Sequence, residues 1–83
     1  MSEKIDIFLL DKSNNTIEEV NIIKPKSYKE LLDKLNLNFK KLPKNFNVFI
    51  YSQQDDEIKI DNNEKYQLLK DTIFIRETKN MYL

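Results

Sequence analysis

The stretch "FNVFIYSQQDDEIKIDNNEKY", residues 46–66, decides the fold, because it contains two strand patterns separated by a polar turn. Apolar side chains alternate along its first part, so residues 46–52 are predicted to form a strand. The side chains that this alternation directs inward are those of Phe46, Val48 and Ile50. Residues 57–60, "EIKI", predict a second, short strand, and residues 62–71 predict a turn or a short helix.

A β-hairpin is predicted at the start of the chain, where residues 5–10 and 16–23 have the alternation of strands. Residues 11–15, "DKSNN", form the turn between them, because Asp and Asn tolerate left-handed backbone and bond to their own main chain. The alternation is broken near Ile17, which allows a β-bulge at that point. The inward side chains of the first strand are Ile5, Ile7 and Leu9.

A helix follows this hairpin. Ser27 is a suitable N-cap, and with Glu30 three residues later it forms a capping box. The helix is predicted to run from Tyr28 to about Leu35 and to stop near Asn36 in a left-handed C-cap. Its apolar stripe consists of Tyr28, Leu31, Leu32 and Leu35. We expect the stripe to pack on the sheet, because a small sheet needs a helix to cover it; a partner groove is the alternative.

Residues 72–77, "TIFIRE", predict the last strand, so the chain has the element order of a small α+β domain. A length of 83 residues predicts one domain, residues 1–83, which we expect to be part of a larger protein.

The composition excludes several classes of function. There is no glycine, so phosphate-binding loops and dinucleotide-binding turns are absent, and no histidine, the usual general base and metal ligand. We therefore expect no enzyme, no catalytic residue, no cofactor and no metal site. Fourteen basic and fourteen acidic residues balance, which argues against nucleic-acid or membrane partners. The lack of cysteine and of a secretory pattern predicts a cytoplasmic location, with cytoskeletal association left open.

An acidic cluster follows the strand at residues 46–52 and is the first candidate site. Its members are Asp55, Asp56, Glu57, Asp61 and Glu64. In a functional site these carboxylates would pair with lysines or arginines of a partner protein through charge-assisted hydrogen bonds. The alternative is a solvated turn, whose surface ion pairs contribute only about 0–1 kcal/mol each.

An apolar face is the second candidate site. If the inward residues pack under the helix, the opposite sheet face carries Phe8, Leu10, Phe49 and Tyr51. The last strand adds either Ile73 and Ile75 or Phe74 to the core, and the remaining set joins this outer face. Exposed clusters of large apolar side chains usually mark an interface, with a partner protein or with a second copy of the chain. The alternative is that loops cover these residues.

A basic loop is the third candidate, with Lys40, Lys41 and Lys44 between the helix and the next strand. It predicts either a patch for an acidic partner or solvated loop lysines.

The element order resembles the β-grasp, or ubiquitin-like, fold over nearly the whole chain. This resemblance implies a mixed four- to five-stranded sheet packed on one main helix, with the first and last strands adjacent at its centre. A conjugated modifier is not expected, because ubiquitin-type modifiers end in Gly-Gly and this chain ends Met81, Tyr82, Leu83.

Residues 46–66 also resemble the acidic segment of Phox-and-Bem (PB-one) interaction domains. The acids that match that pattern are Asp56, Asp61 and Glu64. The departures are the neutral Ser52, Gln53 and Gln54 at acidic positions, Asp55 at a glycine position, and Asp6 at the first-strand lysine position. The resemblance implies a non-catalytic interaction module. It retains only part of the acidic segment that binds a basic partner.

Two other ubiquitin-like families are similar. Residues 64–75, "EKYQLLKDTIFI", resemble the end of ubiquitin, and residues 42–52, "LPKNFNVFIYS", resemble doublecortin-type microtubule-binding domains. The second resemblance implies an alternative function, in which the domain self-assembles or binds a filament as part of the cytoskeleton.

Overall fold

A computed structural model describes residues 3–78 as an α+β domain with a five-stranded mixed sheet and two helices. In chain order the elements are β1 (Lys4–Leu10), β2 (Thr16–Ile23), α1 (Tyr28–Asn38), β3 (Phe46–Tyr51), β4 (Glu57–Ile60), α2 (Asn63–Tyr66) and β5 (Thr72–Glu77). The predicted α+β class and mixed sheet are confirmed. The helical part consists of two helices, of 11 and 4 residues; the second lies within residues 62–71, which were predicted to form a turn or a short helix beside the one main helix.

The strands lie in the order β2-β1-β5-β3-β4. β1 and β5 pair in parallel at the centre of the sheet, whereas the other neighbours pair antiparallel. β2 and β3 run in the same direction on opposite sides of this pair, so the chain between them crosses one face of the sheet, and it contains α1. The opposite face of the central strands is covered only by side chains of the sheet itself.

The core lies between the sheet and α1. The fully buried side chains are Ile5, Ile7, Leu9, Leu31, Leu35, Ile60, Ile73 and Ile75. These residues confirm the inward alternation predicted for β1, and they show that β5 gives its isoleucines to the core. Phe74 therefore belongs to the outer face.

The predicted start of α1 is confirmed, and its predicted end is wrong. The Ser27 hydroxyl accepts a hydrogen bond from the Glu30 backbone N–H at 3.1 Å, while the Glu30 carboxylate reaches back to the N–H of Lys26. The helix continues past Asn36 to Asn38 and ends with Phe39 in an extended conformation. Phe39 is buried in the core, and the additional turn of helix brings its side chain there.

The predicted bulge in the first hairpin is confirmed. Leu9 pairs with Glu18 and Leu10 with Thr16, so Ile17 is the extra residue of β2. Within residues 3–78, neither helix is long and apolar enough to cross a membrane.

Candidate functional site

Four aromatic side chains lie together on the sheet face opposite α1, and we call them the aromatic cluster: Phe8, Phe49, Tyr51 and Phe74. Phe74, on the central strand β5, is the middle of the cluster. Its ring centroid lies 5.6 Å from that of Phe8 and 5.7 Å from that of Phe49, both stacked at an interplanar angle of 24°. Tyr51 meets Phe74 edge-on at 5.2 Å. Such offset and edge-on pairs are the geometries that aromatic quadrupoles favour.

The cluster differs from the predicted apolar face in what it exposes. Tyr51 is 40% exposed, and Phe8 and Phe74 are half-buried. Phe49 and Leu10, predicted as surface contacts, are buried at 3% and 6% exposure. They lie on the outer face as predicted, but a partner could reach them only through their neighbours.

Arg76 packs on the Phe49 ring together with Tyr51 and Phe74. Its guanidinium carbon lies 4.5 Å from the centroid of the Phe49 ring, a cation–π stack. The same guanidinium forms a forked pair with the Glu57 carboxylate, with N–O distances of 3.0 and 3.4 Å. Its Nε is buried without a hydrogen-bond partner among residues 3–78. Arg76 thus connects three strands across the outer face.

Sequence reasoning missed Arg76, although one signal was present. It is the only arginine in a chain with thirteen lysines. Stacking on a ring while forking onto a carboxylate requires the planar guanidinium, which lysine cannot replace. A single arginine in a lysine-rich chain therefore indicated a position where the geometry matters.

The five acidic candidates do not form one site. Glu57 is paired with Arg76, and Asp61 is paired with Lys65 one helical turn away at 3.6 Å. The remaining carboxylates, of Asp55, Asp56 and Glu64, are exposed and make no ion pair within the described part of the chain. No group of three or more acidic side chains there is arranged to hold a metal ion.

The acidic hairpin, residues 51–57, contains a turn built like that of the first hairpin. In the first turn the Asp11 carboxylate accepts the N–H groups of Ser13 and Asn15, and Asn14 takes a positive φ of 65°. These hydrogen bonds lower the pKa of Asp11.

In the acidic hairpin, Ser52 occupies the position that Asp11 has in the first hairpin. Its hydroxyl accepts the N–H groups of Gln54 and Asp56, each at 3.2 Å, and Asp55 takes the positive φ, 63°. Both are three-residue turns closed by a left-handed residue, where glycine is the usual choice. Ser52 therefore has a structural role, and Asp55 occupies the left-handed position at the point where the Phox-and-Bem pattern has glycine.

Glycine variants of the two neighbouring acids separate backbone geometry from charge. Asp55→Gly should leave the domain at least as stable as the original, because glycine removes the steric cost of a left-handed residue. Asp56→Gly removes the same charge at a position outside the left-handed region, and should lower the free energy of unfolding by about 0.5–1 kcal/mol. Urea titration of both variants measures the difference; equal losses would contradict the turn described here.

The backbone of the basic loop is held by hydrogen bonds to the Glu18 carboxylate. The Glu18 carboxylate accepts the backbone N–H groups of Lys40 and Lys41 at 2.9 to 3.1 Å, and the first of these bonds is the main reason that the pKa of Glu18 is lowered. The side chains of Lys40, Lys41 and Lys44 are exposed. Because a carboxylate is fixed beneath two of them, the loop presents a smaller net positive charge than its sequence suggests.

A cleft of about 490 Å³ adjoins the aromatic cluster. It opens where β3 and β5 diverge, since their pairing stops at Phe49 and Phe74. Tyr51 and Phe74 line one side, and Leu68, which is 52% exposed, lines the other. The apolar surface of the outer face therefore continues into a concave region.

A scan of protein-family models finds no match to this chain. A search of curated proteins finds no significant match either.

Proposed function

We propose that this chain is a non-catalytic protein-interaction module of the ubiquitin-like β-grasp type, and that it binds through the aromatic cluster. The observation that carries the proposal is a contiguous set of four aromatic rings on a sheet face that neither α1 nor α2 covers. Aromatic side chains anchor interfaces because they combine large contact area with few rotatable bonds. Tyr51, which is 40% exposed, adds a hydroxyl that can form hydrogen bonds at the edge of the cluster.

The fold assignment is supported by topology. A hairpin leads into a helix, and the last strand returns to pair in parallel with the first at the centre of the sheet. This is the connectivity that the β-grasp resemblance implies. Fold alone does not determine a partner, so the proposed function depends on the aromatic cluster itself.

The acidic hairpin is the second candidate surface, of the Phox-and-Bem type. The positive φ of Asp55 favours it, because a left-handed residue precedes the aspartate as that pattern requires. Against it, Glu57 and Asp61 are already paired within the domain, so a basic partner would compete with Arg76 and Lys65. We therefore place the main binding surface on the aromatic cluster.

Salt dependence and two point variants distinguish these surfaces. The immobilised domain should capture partner proteins from extracts of the cells that make it, at both low and high salt. We expect the captured set to persist at high salt and with Asp56→Lys, because burial of apolar surface is not screened. Tyr51→Glu should abolish capture, because it places a charge at the exposed edge of the cluster.

The opposite pattern would transfer the function to the acidic hairpin. Loss of binding at high salt and with Asp56→Lys, together with survival in Tyr51→Glu, contradicts the aromatic-cluster proposal. Leu37→Glu is the matched control, since Leu37 is 78% exposed on α1, away from the sheet face, and should leave capture unchanged.

A further inference from the structure

A single row of side chains crosses the outer face of all five strands. The backbone pairings are Glu19 with Phe8, Phe8 with Phe74, Phe74 with Phe49, and Phe49 with Lys59. Paired residues of a sheet point to the same face. From β2 to β4 the row therefore consists of an acidic residue, three phenylalanines and a basic residue. At about 4.8 Å per strand, its two charges lie roughly 19 Å apart.

The ends of this row have no partner within the described part of the chain. Glu19 and Lys59 are exposed, and neither forms an ion pair there. Among the other charged side chains of this face, Glu57 and Arg76 pair with each other, and Asp6 accepts a hydrogen bond from the Asn21 side-chain amide. The row therefore has a negative charge at its β2 end, a positive charge at its β4 end and apolar side chains between them.

We infer that the outer face binds a second copy of this chain, face to face, about a two-fold axis that passes over Phe74 along the strand direction. This inference rests on the proposed function and adds a second copy of the chain as an occupant of the same surface. Rotation about that axis reverses the row, so Glu19 of each copy lies over Lys59 of the other. Phe74 then meets its own counterpart, and Phe8 meets the Phe49–Arg76 stack.

The charges at the two ends of the row favour this two-fold axis over the other one that would bring the same faces together. A two-fold axis along the row instead of along the strands would place Glu19 over Glu19 and Lys59 over Lys59, and like charges in contact oppose binding. The net charge of the chain is zero, so two copies approach without overall repulsion.

The area of the face predicts a weak dimer. Five strands about 4.8 Å apart, with a mean length of about 20 Å, present on the order of 500 Å² per copy. The total of about 1,000 Å² is at the lower limit for specific interfaces. We therefore expect self-association at high micromolar concentration instead of a permanent dimer.

Charge reversal at the two ends of the row tests the inference with purified full chain in analytical ultracentrifugation. Glu19→Lys and Lys59→Glu should each weaken self-association at least about tenfold, because each creates two like-charged contacts. An equimolar mixture of the two variants should dimerise, since both end contacts then join opposite charges. The double variant, Glu19→Lys with Lys59→Glu, should recover self-association for the same reason.

Glu64→Lys is the matched control, because it changes the net charge as Glu19→Lys does but lies on α2, away from the row. It should self-associate like the original chain, and circular dichroism checks that every variant is folded. A monomeric original chain at millimolar concentration, or a mixture that stays monomeric, overturns the inference. Neither result affects the proposed function, which is tested by capture of other proteins.

Discussion

Leu35→Ala should lower the free energy of unfolding by about 2–5 kcal/mol, the range for removing a buried leucine side chain. Leu35 is fully buried between α1 and the sheet, and its backbone carbonyl also accepts the N–H of Phe39 that closes the helix. A domain of this size has a total stability of roughly 4–12 kcal/mol. This one truncation thus tests a large fraction of the stability of the fold, and urea or thermal unfolding measures it.

The matched control lies two residues away on the same helix. Leu37 is 78% exposed, because two residues rotate the side chain by about 200° around an α-helix. Leu37→Ala should change stability by no more than about 0.5 kcal/mol. Equal losses for the two variants would mean that α1 packs on the sheet through a different face, and would contradict the core described here.

The alternation of apolar residues was sufficient to predict the inward face of the first and third strands. Ile5, Ile7 and Val48 are buried as that pattern requires, because strand side chains alternate strictly and one face must meet the core. The same pattern could not assign β5, whose consecutive Ile73, Phe74 and Ile75 are all apolar. The structure resolves that ambiguity through the parallel pairing with β1.

The resemblance implied that the first and last strands are adjacent, but side-chain contacts that depend on the register between distant strands could not be predicted. Phe49 was correctly placed on the outer face, but the Arg76 and Phe74 side chains that pack on it belong to β5 and lie beside it because β3 pairs with β5. The row from Glu19 to Lys59 has the same origin, since its members come from five strands. Single-sequence patterns contain local periodicity and no information on strand order.

The local backbone conformation at caps and turns was only partly predictable from the sequence. The Ser27 cap was predicted because it has a defined sequence signature. The left-handed backbone expected for the Asp/Asn turn at residues 11–15 is found at Asn14, and a second left-handed residue is Asp55, whereas the one expected at Asn36 is absent. The burial of Phe39 outweighed the tendency of Asn36 to end the helix, which shows tertiary packing overriding a local preference.

Tyr66 links α2 to the chain before α1 and is a second residue on which stability depends. Its ring is 3% exposed, and its hydroxyl donates a hydrogen bond to the backbone carbonyl of Pro25. Burial, with a smaller contribution from the negative charge of Glu30, raises the pKa of Tyr66 to about 12. The ordinary pKa of tyrosine is 10.0, so the folded and unfolded chains titrate at different pH.

The domain should lose stability between about pH 10 and pH 12 because of this difference. Below pH 10, Tyr66 is protonated in both states and its contribution is complete. Above pH 10 the unfolded chain ionises while the folded chain keeps its proton, so the free energy of unfolding falls by about 1.4 kcal/mol per pH unit. The loss approaches about 2–3 kcal/mol at pH 12, and urea titrations at several pH values measure it.

Tyr66→Phe isolates the contribution of this residue. At neutral pH the variant should be less stable by about 1–2 kcal/mol, since the Pro25 carbonyl loses its partner. Between pH 10 and pH 12 its stability should fall less steeply than that of the original chain, because the buried phenol is gone. Some slope should remain, since burial and the nearby Asp61 also raise the pKa of Tyr28. Parallel curves for the two proteins would show that Tyr66 ionises equally in both states, and would contradict its burial against Pro25.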